Sequence, residues 1–308
     1  MSSAVSATPP VNRTLLANLA AAAAAVSAGA SVVATRYAVG ETDPVSLAFY
    51  RYAVAAPCLA PFLWTHAPGH RIPARDMVAM LLLGGLFFGL FPWAFSAALQ
   101  HTSAARGSIG LATIPIVTLL LARAFGRETL TPLKAFSVVL AFAGVAVAIG
   151  DGLGTASGSG QFLLGDGLMM CAVVCGATYS ALAGPYLKAH GPMFVTALGM
   201  VAGVALLAPL SALSGGLSEI PRFSTGGWLS VLFLGTVGGA LQFALYTWAL
   251  KWIAPSRTAI YLTLNPISAM LLAVWLLDEG LTAALLAGFV LVASGIVLAN
   301  RKAPTRTK

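Results

Sequence analysis

The chain has 308 residues, 58% hydrophobic and only 8% charged, whereas soluble domains average about 25% charged. This composition excludes a soluble two-domain protein and describes an integral membrane protein. The net charge of +8 would suit a nucleic-acid partner only if the 17 Lys and Arg were clustered; they are dispersed over alternate loops, so no such partner is expected.

Ten apolar runs, each long enough for one helix to cross a hydrocarbon core of about 30 Å, follow one another along the chain. Residues 1–13 read as a disordered tail. Arg13 and the Ala-rich run after it, with Ala28-Gly29-Ala30, resemble a signal peptide, but the run is too long for a signal core and reads as the first span, 14–35. The second, 45–65, carries Arg51, the only formal charge well inside a span; it either snorkels to order the helix end or attracts a carboxylate. The third, 77–100, has Gly85-x-x-x-Gly89, a close-packing stripe that continues to Trp93 and Ser96 and opens onto a central cavity. The fourth, 107–122, is interrupted by Pro115, whose ring displaces the carbonyl of Leu111, so a kink is expected. The fifth, 131–150, precedes a Gly/Ser-rich linker, 151–165.

The sixth span, 167–187, holds Cys171, Cys175 and, midway, Tyr179. No His, Asp or Glu joins the cysteines at ligand spacing, and neither a metal nor another cofactor is expected. The seventh is 191–213. The eighth, 226–250, repeats the glycine stripe as Gly235-x-x-x-Gly239 and adds Gln242 and Tyr246 one turn apart. The ninth, 258–277, places Arg257, Tyr261 and Asn265 on one stripe and Pro266 in mid-span. The tenth is 280–300, followed by a tail, 301–308. Amide and phenol groups within a span need partners away from lipid, which makes Trp93, Tyr179, Gln242, Tyr246, Tyr261 and Asn265 the candidates for lining a cavity. Trp248, Trp252 and Trp275, near span ends, read as interfacial anchors.

With the N-terminus inside, thirteen Lys and Arg fall in cytoplasmic segments, while Arg36, Arg106 and Arg222 fall in external ones. That bias places both termini in the cytoplasm.

The sequence also repeats itself. A shift of 151 lays residues 98–148 over 249–299 without a gap, matching Arg106 with Arg257, Pro115 with Pro266, Glu128 with Glu279 and Gly144 with Gly295; upstream, a shift of 148 pairs Pro44 with Pro192 and Pro61 with Pro209. Two five-helix repeats result, 14–150 and 166–300. Because each has an odd number of spans, the second is inverted in the membrane. Ten transmembrane helices in inverted repeats form the architecture of a secondary transporter, with a small-molecule site near mid-membrane. Pro115 and Pro266, equivalent in the two halves, read as paired hinges.

The stretch Ala98-Leu99-Gln100-His101-Thr102-Ser103-Ala104-Ala105, then Ile114-Pro115, then Gly126-Arg127-Glu128-Thr129-Leu130, resembles the EamA-type domain of the drug/metabolite transporter superfamily. The second half repeats it as Ala249-Leu250-Lys251, Asn265-Pro266 and Asp278-Glu279-Gly280-Leu281. The resemblance covers residues 15–300. It implies a ten-helix fold in a prokaryotic inner membrane, and export or exchange of small metabolites, most often amino acids.

All nine acidic residues and all four His are read as lying at span ends or in loops. There is no Asp cluster for Mg²⁺, no Ser/His pair and no metalloprotease motif, so an enzyme is not expected. A channel would need a filter or charged ring, for which there is no candidate. Without a mid-membrane carboxylate there is no counter-charge for a lipophilic cation, the runner-up cargo, and no core group to carry protons; Asp166 is the one loophole. The expected cargo is a small polar or zwitterionic metabolite. The sequence leaves monomer and dimer both open.

Overall fold

The computed structural model describes residues 11–65, 69, 71–126, 131–153, 159–216, 223–250, 252, 253, 261 and 263–299. Every regular element among them is helical. The principal helices are α1 (Val11–Ala38), α2 (Pro44–Leu59), α3 (Ala74–His101), α4 (Ala104–Ala124), α5 (Pro132–Leu153), α6 (Ser159–Leu182), α7 (Pro192–Leu213), α8 (Thr225–Ala249), α9 (Leu264–Leu277) and α10 (Ala283–Ala299). Short helices Pro61–Thr65 and Gly184–His190 follow α2 and α6. Helix α1 and helices α3 to α8 are each long and apolar enough to span a membrane, and α9 and α10 are shorter apolar helices. Large apolar side chains such as Leu82, Val139, Leu213 and Leu271 stand exposed, as a hydrocarbon solvent requires.

The helices pair as a two-fold exchange of halves demands. Helix α1 packs on α9 as α6 packs on α4, α1 on α8 as α6 on α3, and α2 on α8 as α7 on α3, while α5 lies against α10. In that last seam a side chain added at Gly144 would strike the Gly288 carbonyl, and one at Gly295 the Ser137 carbonyl. The 151-residue shift turns the first contact into the second, so the repeat is written into the packing as well as the sequence. These small residues let the backbones approach closely.

Local signals fix the helix ends. Asp43 accepts hydrogen bonds from the backbone N–H groups of Val45 and Ser46, both at 3.0 Å, with Pro44 in the first turn of α2. Ser103 and Ser224 cap α4 and α8 in the same way, accepting from Arg106 N and Gly227 N. After α4 the chain turns at Gly126 (φ 68°), and after α9 at Asp278 (φ 52°). Both adopt the left-handed conformation that stops a helix. At the second it also swings Glu279 out of line with α9.

Three sequence expectations are revised here. The linker 151–165 is largely helical, with α5 running to Leu153 and α6 starting at Ser159; only 154–158 lie outside the described residues. The charge of Asp166 reads as a span boundary, but Arg106 neutralises it and the helix continues through it. Arg106, expected in an external loop, is buried in the first turn of α4.

Candidate functional site

Helix α4 breaks at Thr113, which separates Ala104–Ala112 from Ile114–Ala124. Pro115 has no N–H to offer, so the ladder closes through tighter bonds: Thr113 N and Oγ1 both donate to Gly110 O, at 3.0 and 2.6 Å, and Val117 N donates to Thr113 O at 3.0 Å. The kink expected at Pro115 is thus present. In α9 a turn at Thr263 lies three residues before Pro266, which stands in the first turn of the helix. Between the two prolines lies a cleft of about 240 Å³, lined by Leu111, Ile114, Pro115, Asn265, Pro266 and Phe289 among others. Asn265 Oδ1 is buried there without a hydrogen-bond partner. Within 4 residues of chain the same turn separates Tyr261 from Asn265, so the single stripe expected from their spacing does not form. Tyr261 instead joins Trp248 and Trp252 against Ala17, Ala21 and Ala249, and Arg13 lies over the Trp252 ring at 4.8 Å. Arg257 lies outside the described residues.

A second concentration of candidates sits between α2, α3, α6 and α8. Both α3 and α8 contain a π-helical turn, Leu86–Leu90 and Thr236–Leu241, at repeat-related positions. Such a turn inserts a residue and is often found at functional sites. Gly85 and Gly89 both face Leu206 of α7, and the close backbone approaches to α7 are those of Gly84 with Gly199 and of the Phe88 carbonyl with Gly203. Past the turn, Trp93 is half-buried and packs on both major apolar clusters, while Ser96 is buried. The α3 turn presents Phe87 and Phe88. Tyr179 stacks on Phe87 with ring centroids 4.4 Å apart, and Phe243 meets Phe88 edge-on at 5.6 Å. Gln242 opens the α-helical stretch after the α8 turn, its Oε1 buried without a partner, and Tyr246 is half-buried one turn further on.

Arg51 does not snorkel. Its Nη2 donates to Gly238 O in the α8 π turn at 3.0 Å, and its guanidinium lies 5.5 Å from the Tyr52 ring centroid. Trp275, by contrast, is highly exposed near the end of α9, as an interfacial anchor should be.

The contacts that close the two ends were largely invisible in the sequence. At the end where α1 finishes, Glu279 of the second half accepts hydrogen bonds from the backbone N–H groups of Ala104 (2.8 Å) and Ala105 (3.1 Å) of the first, and lies 3.8 Å from Arg36. A carboxylate at a helix N-terminus satisfies orphan donors and complements the helix dipole. The repeat had marked Glu279, but a backbone partner carries no side-chain signal; its counterpart Glu128 lies outside the described residues. Glu41 binds Ser224 N and Oγ at 2.8 and 2.6 Å, the Ser46 and Ser211 hydroxyls meet at 2.8 Å, and Tyr50 donates to Gly216 O at 2.5 Å. At the opposite end, His190 Nε2 stands 3.1 Å from Asp76 Oδ2, joining the start of α7 to that of α3. Each of these contacts ties one half to the other.

The pattern of the EamA-like transporter family matches residues 15–150 and again 163–301. Among similar proteins, the uncharacterized transporter YyaM of Bacillus subtilis is 25% identical over 277 residues, covering 88% of this chain and 89% of its own length. The uncharacterized inner membrane transporter YedA of Escherichia coli is 25% identical over 258 residues, covering 82% and 80%. A probable terminal-alkyne amino-acid exporter of Streptantibioticus cattleyicolor is 26% identical over 232 residues, covering 74% and 75%. A crystal structure at 21% identity superposes with a TM-score of 0.59 over 94% of this chain and 97% of that one, a likeness of fold. With both halves matched in turn, the chain belongs to the EamA-like transporter family.

Proposed function

We propose that this protein is an alternating-access carrier for small polar or zwitterionic metabolites, an amino-acid exporter or facilitator, in a prokaryotic inner membrane with both termini in the cytoplasm. The observation that carries the reading is the pairing of α4, broken at Thr113 before Pro115, with the Pro266-bearing first turn of α9 around one cleft at the junction of two-fold-related halves. Repeats of that kind bind cargo at their interface and exchange conformations to expose it on alternate sides. The amino-acid exporter among the relatives supports the cargo class, and YedA supports the membrane.

The interior favours a net-neutral cargo that runs down its own gradient. Asp166, the one loophole for a proton carrier, is paired with Arg106 at 2.6 Å, which supports a carrier without a proton-exchanging group in its core. The test is counterflow of a labelled amino-acid panel in proteoliposomes, with and without an imposed pH gradient. Saturable counterflow indifferent to the gradient is expected. Non-saturating flux would favour a channel, and uptake driven uphill by protons would overturn the uncoupled mechanism.

A further inference from the structure

Arg51 and Gln242 together leave one donor and one acceptor unspent on the same helix contact. Arg51 Nη2 is committed to Gly238 O, but its Nε is buried with no partner. Gln242, one turn beyond Gly238 on α8, keeps a buried Oε1 with no partner. A buried donor and a buried acceptor on residues linked through Gly238 of α8, each left without a partner, incur a desolvation cost that a native interior ordinarily avoids. The chain neighbours of this pair lead directly into the aromatic cluster. Tyr52 meets Phe88 edge-on at 5.5 Å, and Phe243 meets both Phe88 and Phe87, the latter stacked on Tyr179.

The repeat separates scaffold from cargo chemistry here. Under the 148-residue shift the counterpart of Arg51 is Gly199, which packs against Gly84 and the Phe88 ring; under the 151-residue shift the counterpart of Gly238 is Phe87. A clamp needed merely to hold a π turn would be expected in both halves, since both have the turn. The cation instead stands on α2 beside the α8 turn, and Phe87 and Phe88 stand in the repeat-related turn of α3.

We infer that Arg51 and Gln242 form the head-group subsite of the carrier: Arg51 Nε takes the carboxylate of an α-amino acid and Gln242 Oε1 accepts from its ammonium, with an apolar or aromatic side chain lying against Phe87, Phe88, Tyr179 and Phe243. This assignment rests on the amino-acid reading proposed above. An uncharged acceptor for the ammonium and a single cation for the carboxylate match a zwitterion and no net cation. A charge-assisted bond from Arg to a carboxylate is also the stronger of the two contacts, so the carboxylate dominates recognition.

The experiment is counterflow of labelled phenylalanine and leucine by the full-length protein, with competition by the amide of each (no carboxylate) and by its N-acetyl derivative (no ammonium). The wild-type protein is expected to prefer the free amino acid to its amide at least tenfold. Arg51→Gln should raise KM at least tenfold and erase the preference over the amide, and Gln242→Leu should erase the preference over the N-acetyl compound while keeping that over the amide. Arg51→Lys, which keeps the charge, should retain part of the carboxylate preference and serves where Arg51→Gln fails to fold. Amino-acid counterflow with the amide preference intact in Arg51→Gln or unchanged in Arg51→Lys overturns the assignment and leaves the proposed function standing. No amino-acid counterflow in the wild-type protein overturns the proposed function itself.

Discussion

The guanidinium of Arg106 grips the carboxylate of Asp166 with two hydrogen bonds, of 2.6 and 3.1 Å, and donates a third, of 2.9 Å, to the carbonyl of Ile149. Three helices, α4, α5 and α6, are tied at one point, and both charged side chains are nearly inaccessible, at 7% and 13%. Removing one member of such a pair strands the other charge in a poorly solvated place, whereas removing both does not.

Asp166→Asn is therefore expected to destabilise the protein by about 3 kcal/mol, the usual cost of breaking a buried pair. Thermal unfolding in detergent should show the loss, and Arg106→Gln combined with Asp166→Asn should recover more than half of it. A single variant as stable as wild type, with transport that has lost a dependence on pH, would return Asp166 to the role of proton carrier.

The Glu279 carboxylate serves as the missing end of α4, though it belongs to the other half of the chain. Weakening it should favour the state in which this end is open. Neutralising a charge at a helix N-terminus is worth about 1 kcal/mol, or about a fivefold change in a two-state population. With Cys58, Cys171 and Cys175 replaced and a reporter cysteine at Asn265, Glu279→Gln should speed labelling from the side of Ala38 by about that factor. Unchanged labelling would make Glu279 a static cap.

How much of this was legible depended on the range of the signal. Bilayer-length hydropathy and the tandem motif fixed the ten-helix plan, because span length and repeat register are local to the sequence. Cavity candidates chosen as polar residues in spans were only partly sorted: Tyr179, Trp93 and Gln242 fall around one aromatic centre, Asn265 enters the proline cleft, and Tyr261 goes elsewhere. What misplaced them was helical phase. Extrapolating Gly85 to Trp93 assumes 3.6 residues per turn, and the π turn at Leu86–Leu90 breaks that count; the turn at Thr263 does the same between Tyr261 and Asn265. Arg106, in the first turn of α4, and Asp166, at the edge of an apolar run, escaped because a charge there reads as loop until its partner, 60 residues away, is known.

Orientation follows from charge alone and is open to direct measurement. Thr42, in the turn after α1, and Lys188, in the short helix after α6, stand at opposite ends of the bundle. In intact cells a cysteine at Thr42 should react with an impermeant maleimide and one at Lys188 should not. Reaction of Lys188→Cys alone would invert the topology, and equal reaction of both would refute the inverted arrangement of the halves.

The prolines provide the sharpest test of a moving part. With Pro115→Ala, an N–H returns opposite Leu111 O, and the tight bonds now closing the ladder at Thr113 and Gly110 are free to relax into a continuous α-helix. Pro115 stands in the first turn of Ile114–Ala124, where proline is tolerated, and alanine is the best helix former, so the variant should unfold no more readily than wild type. A fall in turnover then cannot be blamed on instability. If the break is a hinge, Pro115→Ala and Pro266→Ala should each lower kcat for counterflow several-fold with KM little changed, because interconversion is slowed while the binding groups stay in place. A rise in KM with kcat intact would instead assign the prolines to shaping the cleft, and wild-type kinetics in both variants would reduce them to packing.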